Sequence, residues 1–169
     1  MNFNELIQKR YSVRAYCPDP IEPEKLDMIL QAARLAPTAA NRQPFQLLVI
    51  HTDRCLEELK SVYDEPWFIQ APIIIGICSL PSKAWIRSDG KNYADVDAAI
   101  VMDHIILAAT DLGIGTCWIG AFDPDAARKA FGLPAGVEPV AFTPVGYPAD
   151  QLRTKIRRPI EKLAHMDQW

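Results

Sequence analysis

A layered arrangement of helices and strands, of the α/β type, is what this 169-residue sequence predicts, and three observations carry it. Apolar runs rich in Ile, Val and Phe alternate with segments of helical periodicity, so strands are separated by helices. Residues 96–112 (VDAAIVMDHIILAATDL) lack Pro and Gly and are apolar on nearly every face, which makes them a helix that other elements must surround. Hydrophobic residues form 49% of the chain, enough for one domain over residues 1–169 with a sizeable core.

The first helix is read over residues 3–9, where Phe3, Leu6 and Ile7 share a face and Asn2 caps it. In the extended residues 10–16 (RYSVRAY), Arg10, Ser12 and Arg14 recur at every second position and project the same way. Two guanidiniums with a hydroxyl between them make an anion cradle, since Arg binds phosphate oxygens bidentately; the alternative is a solvated strand face. Pro18 and Pro20 end the segment, and Pro23 sits in the first turn of a second helix. Its buried stripe runs through Leu26, Ile29, Leu30, Ala33 and either Leu35 or Ala36. The loop 37–44 (PTAANRQP) offers side-chain amides from Asn41 and Gln43 that can read a flat heterocycle, or that satisfy backbone groups in a helix-to-strand connector.

Residues 45–51 form a strand and 53–62 a short amphipathic helix. Residues 72–79 (PIIIGICS), apolar on both sides, belong in the middle of a covered sheet. Residues 80–93 make a long loop, a candidate lid, with Trp85 either in that role or packed beneath it. Asp95 caps the central helix, Gly113 stops it, and its apolar circumference calls for a second copy of the chain. The glycine-spaced 113–120 (GIGTCWIG) then lets backbone N–H groups approach a flat ligand, with a strand over 116–120. Asp123 and Pro124 open a helix that runs to about Phe131 and stops at Gly132. Residues 138–146 are the final strand, expected at an edge or paired on one side because Pro139 and Pro144 lack N–H donors. Beyond it, Arg153, Lys155 and Arg157 alternate with Arg158 adjacent, an anion-seeking cluster or solvated tail charge.

Several function classes are set aside. A net charge of −3 argues against a nucleic-acid partner. The four cysteines have no metal or C-x-x-C spacing and read as reduced thiols of a cytoplasmic protein. His51, His104 and His165 with Cys117 match no metal-ligand pattern, so no metal is expected. The longest apolar run, broken by Asp103 and His104, is too short to span a bilayer, and no leader-like stretch opens the chain; a soluble protein is expected, with no membrane partner. Neither a dinucleotide-binding glycine fingerprint nor a P-loop is present, so side chains must hold any phosphate.

Taken together, Arg10-Tyr-Ser-Val-Arg14-Ala-Tyr16, residues 37–44, residues 113–120 and Lys155-Ile-Arg157-Arg-Pro159 resemble, in order, four blocks of the FMN-dependent nitroreductase family, over essentially the whole chain. The resemblance implies an α+β fold with helices on a mixed central sheet, and a homodimer with a C-terminal tail reaching across it and FMN at the subunit interface. It implies that Arg10 and Ser12 hold the FMN phosphate with Lys155 and Arg157, Arg158 leaving a second register open. Tyr11 then makes a backbone contact and Arg14 faces the pyrimidine end of the ring, as an electrostatic stabiliser of the reduced flavin. Pro37, Thr38, Ala39, Asn41 and Gln43 approach from the partner subunit. Cys117, Trp118, Ile119 and Gly120 line the other ring face, with the N–H of Ile119 or Gly120 near flavin N5. Ile119 stands where many larger members carry Glu, and the chain is shorter than many members, so helices roofing the substrate pocket are reduced.

The implied activity is NAD(P)H oxidation by ping-pong hydride transfer through flavin N5 to nitroaromatics, quinones or similar acceptors, with no nucleophilic side chain. Reductive dehalogenation or ring reduction on the same cofactor, with residues 80–93 as lid, and a non-catalytic FMN-binding dimer are the alternatives.

Overall fold

The computed structural model describes residues 1–152 and 154–169; Arg153 of the basic tail lies outside the described residues. Five α-helices occur among them, α1 (Phe3–Lys9), α2 (Pro23–Leu35), α3 (Leu56–Val62), α4 (Ala94–Asp111) and α5 (Pro124–Ala130). They pack on a sheet of four strands, β1 (Phe45–His51), β2 (Ile73–Ser79), β3 (Gly115–Thr116) and β4 (Glu138–Gly146), in the order β1-β2-β4-β3. All three ladders are antiparallel, and the parallel element of this α+β sheet is a single bridge from Ser12 to Thr116.

Strand β2 explains the sandwich. Every one of its residues is buried, and alternate side chains point to opposite faces. Ile73, Ile75 and Ile77 join Ile29 and Ala33 of α2 and Met102 and Ile105 of α4 in one core. Ile74 goes the other way, to Phe142, Leu59 of α3 and Ala127 of α5. Gly76 is there because a Cβ would come within 2.7 Å of the Phe142 ring.

Local signals set most boundaries. Asn2 caps α1 in a capping box with Glu5, and Asp123 accepts from the N–H groups of Asp125 and Ala126 at the start of α5. Gly113 and Gly132 turn the chain with φ of 75° and 60° after α4 and α5. In α2 it is Ala36 that is buried next to the stripe, while Leu35 is 70% exposed.

Four expectations are corrected. The helix after β1 starts at Leu56, because Thr52–Arg54 forms a separate 3-10 turn whose Thr52 hydroxyl donates to the Ala71 carbonyl. Asp95 does not cap the central helix: α4 begins at Ala94, whose N–H donates to Asn92 Oδ1, and the Asp95 carboxylate accepts from the Ser79 hydroxyl at 3.0 Å. The strand expected over 116–120 is ordered as a ladder only at Gly115–Thr116, followed by an isolated bridge at Ile119.

The fourth correction concerns β4, which is not at an edge but between β2 and β3; the other alternative, pairing on one side, holds over most of its length, since β3 ladders with it only at Val145 and Gly146. Phe142 directs both its N–H and its C=O to Ile119, so residues of the same parity, Pro144 included, face that side. There the neighbouring chain has left the ladder between Thr116 and Ile119, and the Cys117 N–H goes instead to Thr143 Oγ1 at 3.1 Å. Pro139 falls at a bulge opposite Ile77 and Cys78.

Residues 80–93 form the long connection expected, with a 3-10 turn at Pro81–Lys83. Ile86 and Asn92 bridge, Arg87 pairs with Asp89 at 2.5 Å, and Trp85 packs edge-on against Tyr93.

Candidate cofactor-binding site

Residues 10–16 run extended along the open side of β3, held by the Val13 N–H on the Thr116 carbonyl at 2.9 Å. The approach is close: a Cβ on Gly115 would lie 2.8 Å from Val13 Cγ2. Gly115 thus serves a contact within the chain, where a ligand contact is the sequence expectation. After β4 the chain returns beside the same segment, with Cys17 N–H on the Tyr147 carbonyl and Ala149 N–H on the Ala15 carbonyl, both at 2.8 Å.

This pairing brings the two ends of the sequence together. A cleft of about 270 Å³ is lined by Arg10, Tyr11, Ser12 and Arg14 from one end and Asp150, Gln151, Thr154, Lys155, Ile156 and Arg157 from the other. Four of these side chains are cationic and one anionic, in a chain whose net charge is −3. The Arg10 guanidinium has no protein partner among the described residues, and Arg157 donates only to its neighbour's carbonyl, Ile156 O, at 2.8 Å. Lys155 Nζ donates to the carbonyls of Ile7 and Gln8 at the C-terminal end of α1, a position that favours a cation. Its pKa is nevertheless lowered, by desolvation first and then by Arg10 and Arg157. Cations that repel one another around one cavity, with no ion pair among the described residues, are what a phosphate relieves.

Arg158 goes elsewhere. Its guanidinium donates to the Lys162 carbonyl at 2.7 Å and it does not line the cleft, whereas Arg157 lines it together with Lys155.

The turn 117–120 lies beside the cleft. Cys117 is buried, and burial raises its thiol pKa while Arg14, Ser12 and Arg10 pull it the other way. Trp118 is 41% exposed. Ile119 is corrected: its side chain is in the core and its N–H is spent on the Phe142 carbonyl at 2.9 Å. Gly120 is the open one, since a Cβ there would meet only Trp118 Nε1 at 4.0 Å, and its N–H has no partner among the described residues.

The loop with Pro37, Thr38, Ala39, Asn41 and Gln43 does not line this cleft. Ala40, Asn41 and Gln43 hold positive φ near 50°, a costly conformation for residues with a Cβ. The fold pins it there: Asp97, 1% exposed on α4, accepts from the Ala39 N–H at 2.8 Å. Gln43 Nε2 donates to Asn41 Oδ1 at 3.1 Å, and the Gln43 N–H to Thr38 Oγ1 at 3.0 Å. Residues 80–93 are likewise absent from the cleft lining.

The histidines do not gather. His104 Nδ1 lies 3.0 Å from the Ile100 carbonyl, His165 stacks on Trp169, and no cluster able to hold a metal occurs among the described residues.

Sequence reasoning missed Asp150, Gln151 and Thr154, which carry no local pattern. Asp150 Oδ1 accepts from the Tyr11 phenol at 3.0 Å and Oδ2 from the Arg14 N–H at 2.9 Å.

An α+β sandwich with a cationic slot at one sheet edge, next to the unspent N–H of Gly120, offers a place for an anionic group such as a phosphate. Comparison with known proteins identifies the family. The profile of the Nitroreductase family matches residues 7–68 and 56–147, and the chain belongs to that family of FMN-dependent NAD(P)H oxidoreductases. A nitroreductase family protein from Clostridium difficile 630 superposes with a TM-score of 0.93 at 37% identity, covering 100% of both chains. An FMN-dependent nitroreductase from Clostridium difficile R20291 gives 0.80 at 25% identity over 97% of this chain and 98% of its own. The FMN reductase (NAD(P)H) of Bacillus subtilis is 27% identical over 98% of this chain and 75% of its own length. No helix among the described residues is long and apolar enough to cross a membrane.

Proposed function

We propose that the whole of residues 1–169 is one FMN-binding domain that passes electrons from NAD(P)H to nitroaromatics, quinones or similar small acceptors in the cytoplasm. The observation that carries the reading is the cleft in which Arg10 and Ser12 from one end of the chain meet Lys155 and Arg157 from the other. These four would hold the FMN phosphate by charge-assisted hydrogen bonds. Bound there, FMN supplies the two-electron relay that lets NAD(P)H and the acceptor take turns.

The protein's own part is positioning and electrostatics. Arg14, exposed and 5.7 Å above the Trp67 ring, would carry its charge to the pyrimidine edge and stabilise electron density gathering there. Gly120 would offer the N–H near the ring centre, a role Ile119 cannot fill. Cys117 and Trp118 would wall the same side.

The second wall comes from another copy. Pro37, Thr38, Ala39, Asn41 and Gln43 stand apart from the cleft of their own chain, on a loop held in a strained conformation. In a homodimer this loop would meet the partner's ring. Apolar side chains of the tail support that arrangement, with Ile156 88%, Ile160 66%, Met166 85% and Trp169 103% exposed.

Anaerobic addition of NADH or NADPH to the FMN-loaded protein tests the activity. Bleaching of the flavin's visible absorption, restored by a quinone or nitroaromatic, is the expected result. Flavin that both nucleotides leave coloured would make the protein a non-catalytic FMN binder.

A further inference from the structure

Asp150 is the one carboxylate lining a cleft that also holds four cationic side chains. Both of its side-chain oxygens are engaged inside the chain, one by the Tyr11 phenol at 3.0 Å and the other by the Arg14 N–H at 2.9 Å. The same phenol also reaches the Asp150 carbonyl at 3.1 Å.

Its place along the chain gives these bonds a purpose. Residues 147–149 are laid beside 15–17 by backbone hydrogen bonds, and Asp150 is the residue at which that ladder ends. Gln151 and Leu152 are exposed. Among the described residues the next hydrogen bond back to the N-terminal segment is that of Lys155 with Ile7 and Gln8. The direction in which the tail departs is therefore set at Asp150.

We propose that Asp150 is a positioning residue for the FMN phosphate: by holding Tyr11 and Arg14 it turns the tail so that Lys155 and Arg157 stand opposite Arg10 and Ser12. A carboxylate left bare beside a phosphate would repel it. Asp150 keeps its charge, but with its two oxygens taken by a phenol and a backbone N–H it holds the segments that carry the cations. The inference rests on the reading of the cleft as the FMN phosphate site.

Riboflavin, which has the ring and ribityl chain without the phosphate, separates the outcomes. Affinities for FMN and riboflavin are measured on the full-length protein and on Asp150→Ala, Tyr11→Phe and Asp150→Asn. Asp150→Ala is expected to weaken FMN about tenfold and riboflavin by clearly less, only by what a shift of Arg14 costs at the ring. Tyr11→Phe, which removes one hydroxyl, follows in the same direction with a smaller loss, and Asp150→Asn, which keeps one acceptor, falls between. Equal losses for FMN and riboflavin would make Asp150 a purely structural tie and overturn the proposal. Unchanged or tighter FMN binding in Tyr11→Phe and Asp150→Ala would overturn it too, and Tyr11→Phe alone decides if Asp150→Ala does not fold. If Arg10→Ala leaves FMN affinity unchanged, the site itself is misassigned; if Arg10→Ala weakens it and the Asp150 and Tyr11 variants do not, only the positioning role fails.

Discussion

Tyr11 has a pKa pushed up to about 12, by burial first and then by its hydrogen bond to Asp150. The folded value lies above the ordinary 10.0, so the contribution to stability is complete below the ordinary value and is lost as pH rises through about 12. Denaturant unfolding on either side of that window should show a fall that Tyr11→Phe reduces; an equal fall in both proteins would detach Tyr11 from it. The alternation of Arg10, Ser12 and Arg14 was readable because side chains of an extended segment repeat with period two, and their meeting with Lys155 and Arg157 was suggested by charge and by the family resemblance. Asp150 was not readable. Its partners lie 139 and 136 residues away, and nothing next to it in sequence distinguishes it from surface acid. Ile119 shows the same limit from the other side, because whether an N–H is free depends on a ladder partner, Phe142, that local sequence does not specify.

At the scale of elements, the period of the apolar residues and the cap residues placed most helices and strands, β4 to the residue. What failed was the inference from proline to sheet edge. Pro144 is tolerated inside because the neighbouring strand breaks away opposite it, and beyond that break Trp118 and Gly120 are exposed while Cys117 and Ile119 stay buried. The same economy appears at Gly115, where the absence of a side chain lets residues 10–16 lie against β3. Gly115→Ala should therefore cost about 1–3 kcal/mol in stability. It should also weaken FMN binding, because Val13 must retreat and carry Arg10 and Ser12 with it. Calorimetry with flavin titration checks both, and a variant as stable as the parent would deny the contact any importance.

At the scale of the whole molecule, the layered arrangement and the covered β2 followed from composition and order, whereas the antiparallel pairing did not. Helix α3 lies between β1 and β2 in the chain, and the order of elements alone does not specify that the two strands run antiparallel with Phe45 opposite Ser79. The apolar circumference of α4 is mostly covered by α2 and the sheet, so it asks less of a second copy than the sequence suggested. The stronger call for a partner comes from the tail. Light scattering should give a mass about twice the 18.9 kDa of one chain, and removal of residues 160–169 should shift it toward the monomer. A monomeric parent protein would leave residues 37–44 without a ring to meet.

The joining of the two chain ends around a phosphate is tested most directly by the FMN affinity of Arg10→Ala. Loss of its charge-assisted bonds should remove about 1.5–3 kcal/mol, roughly a ten- to hundredfold rise in Kd. Riboflavin binding should stay as it was. An FMN affinity equal to that of the unaltered protein would contradict the account.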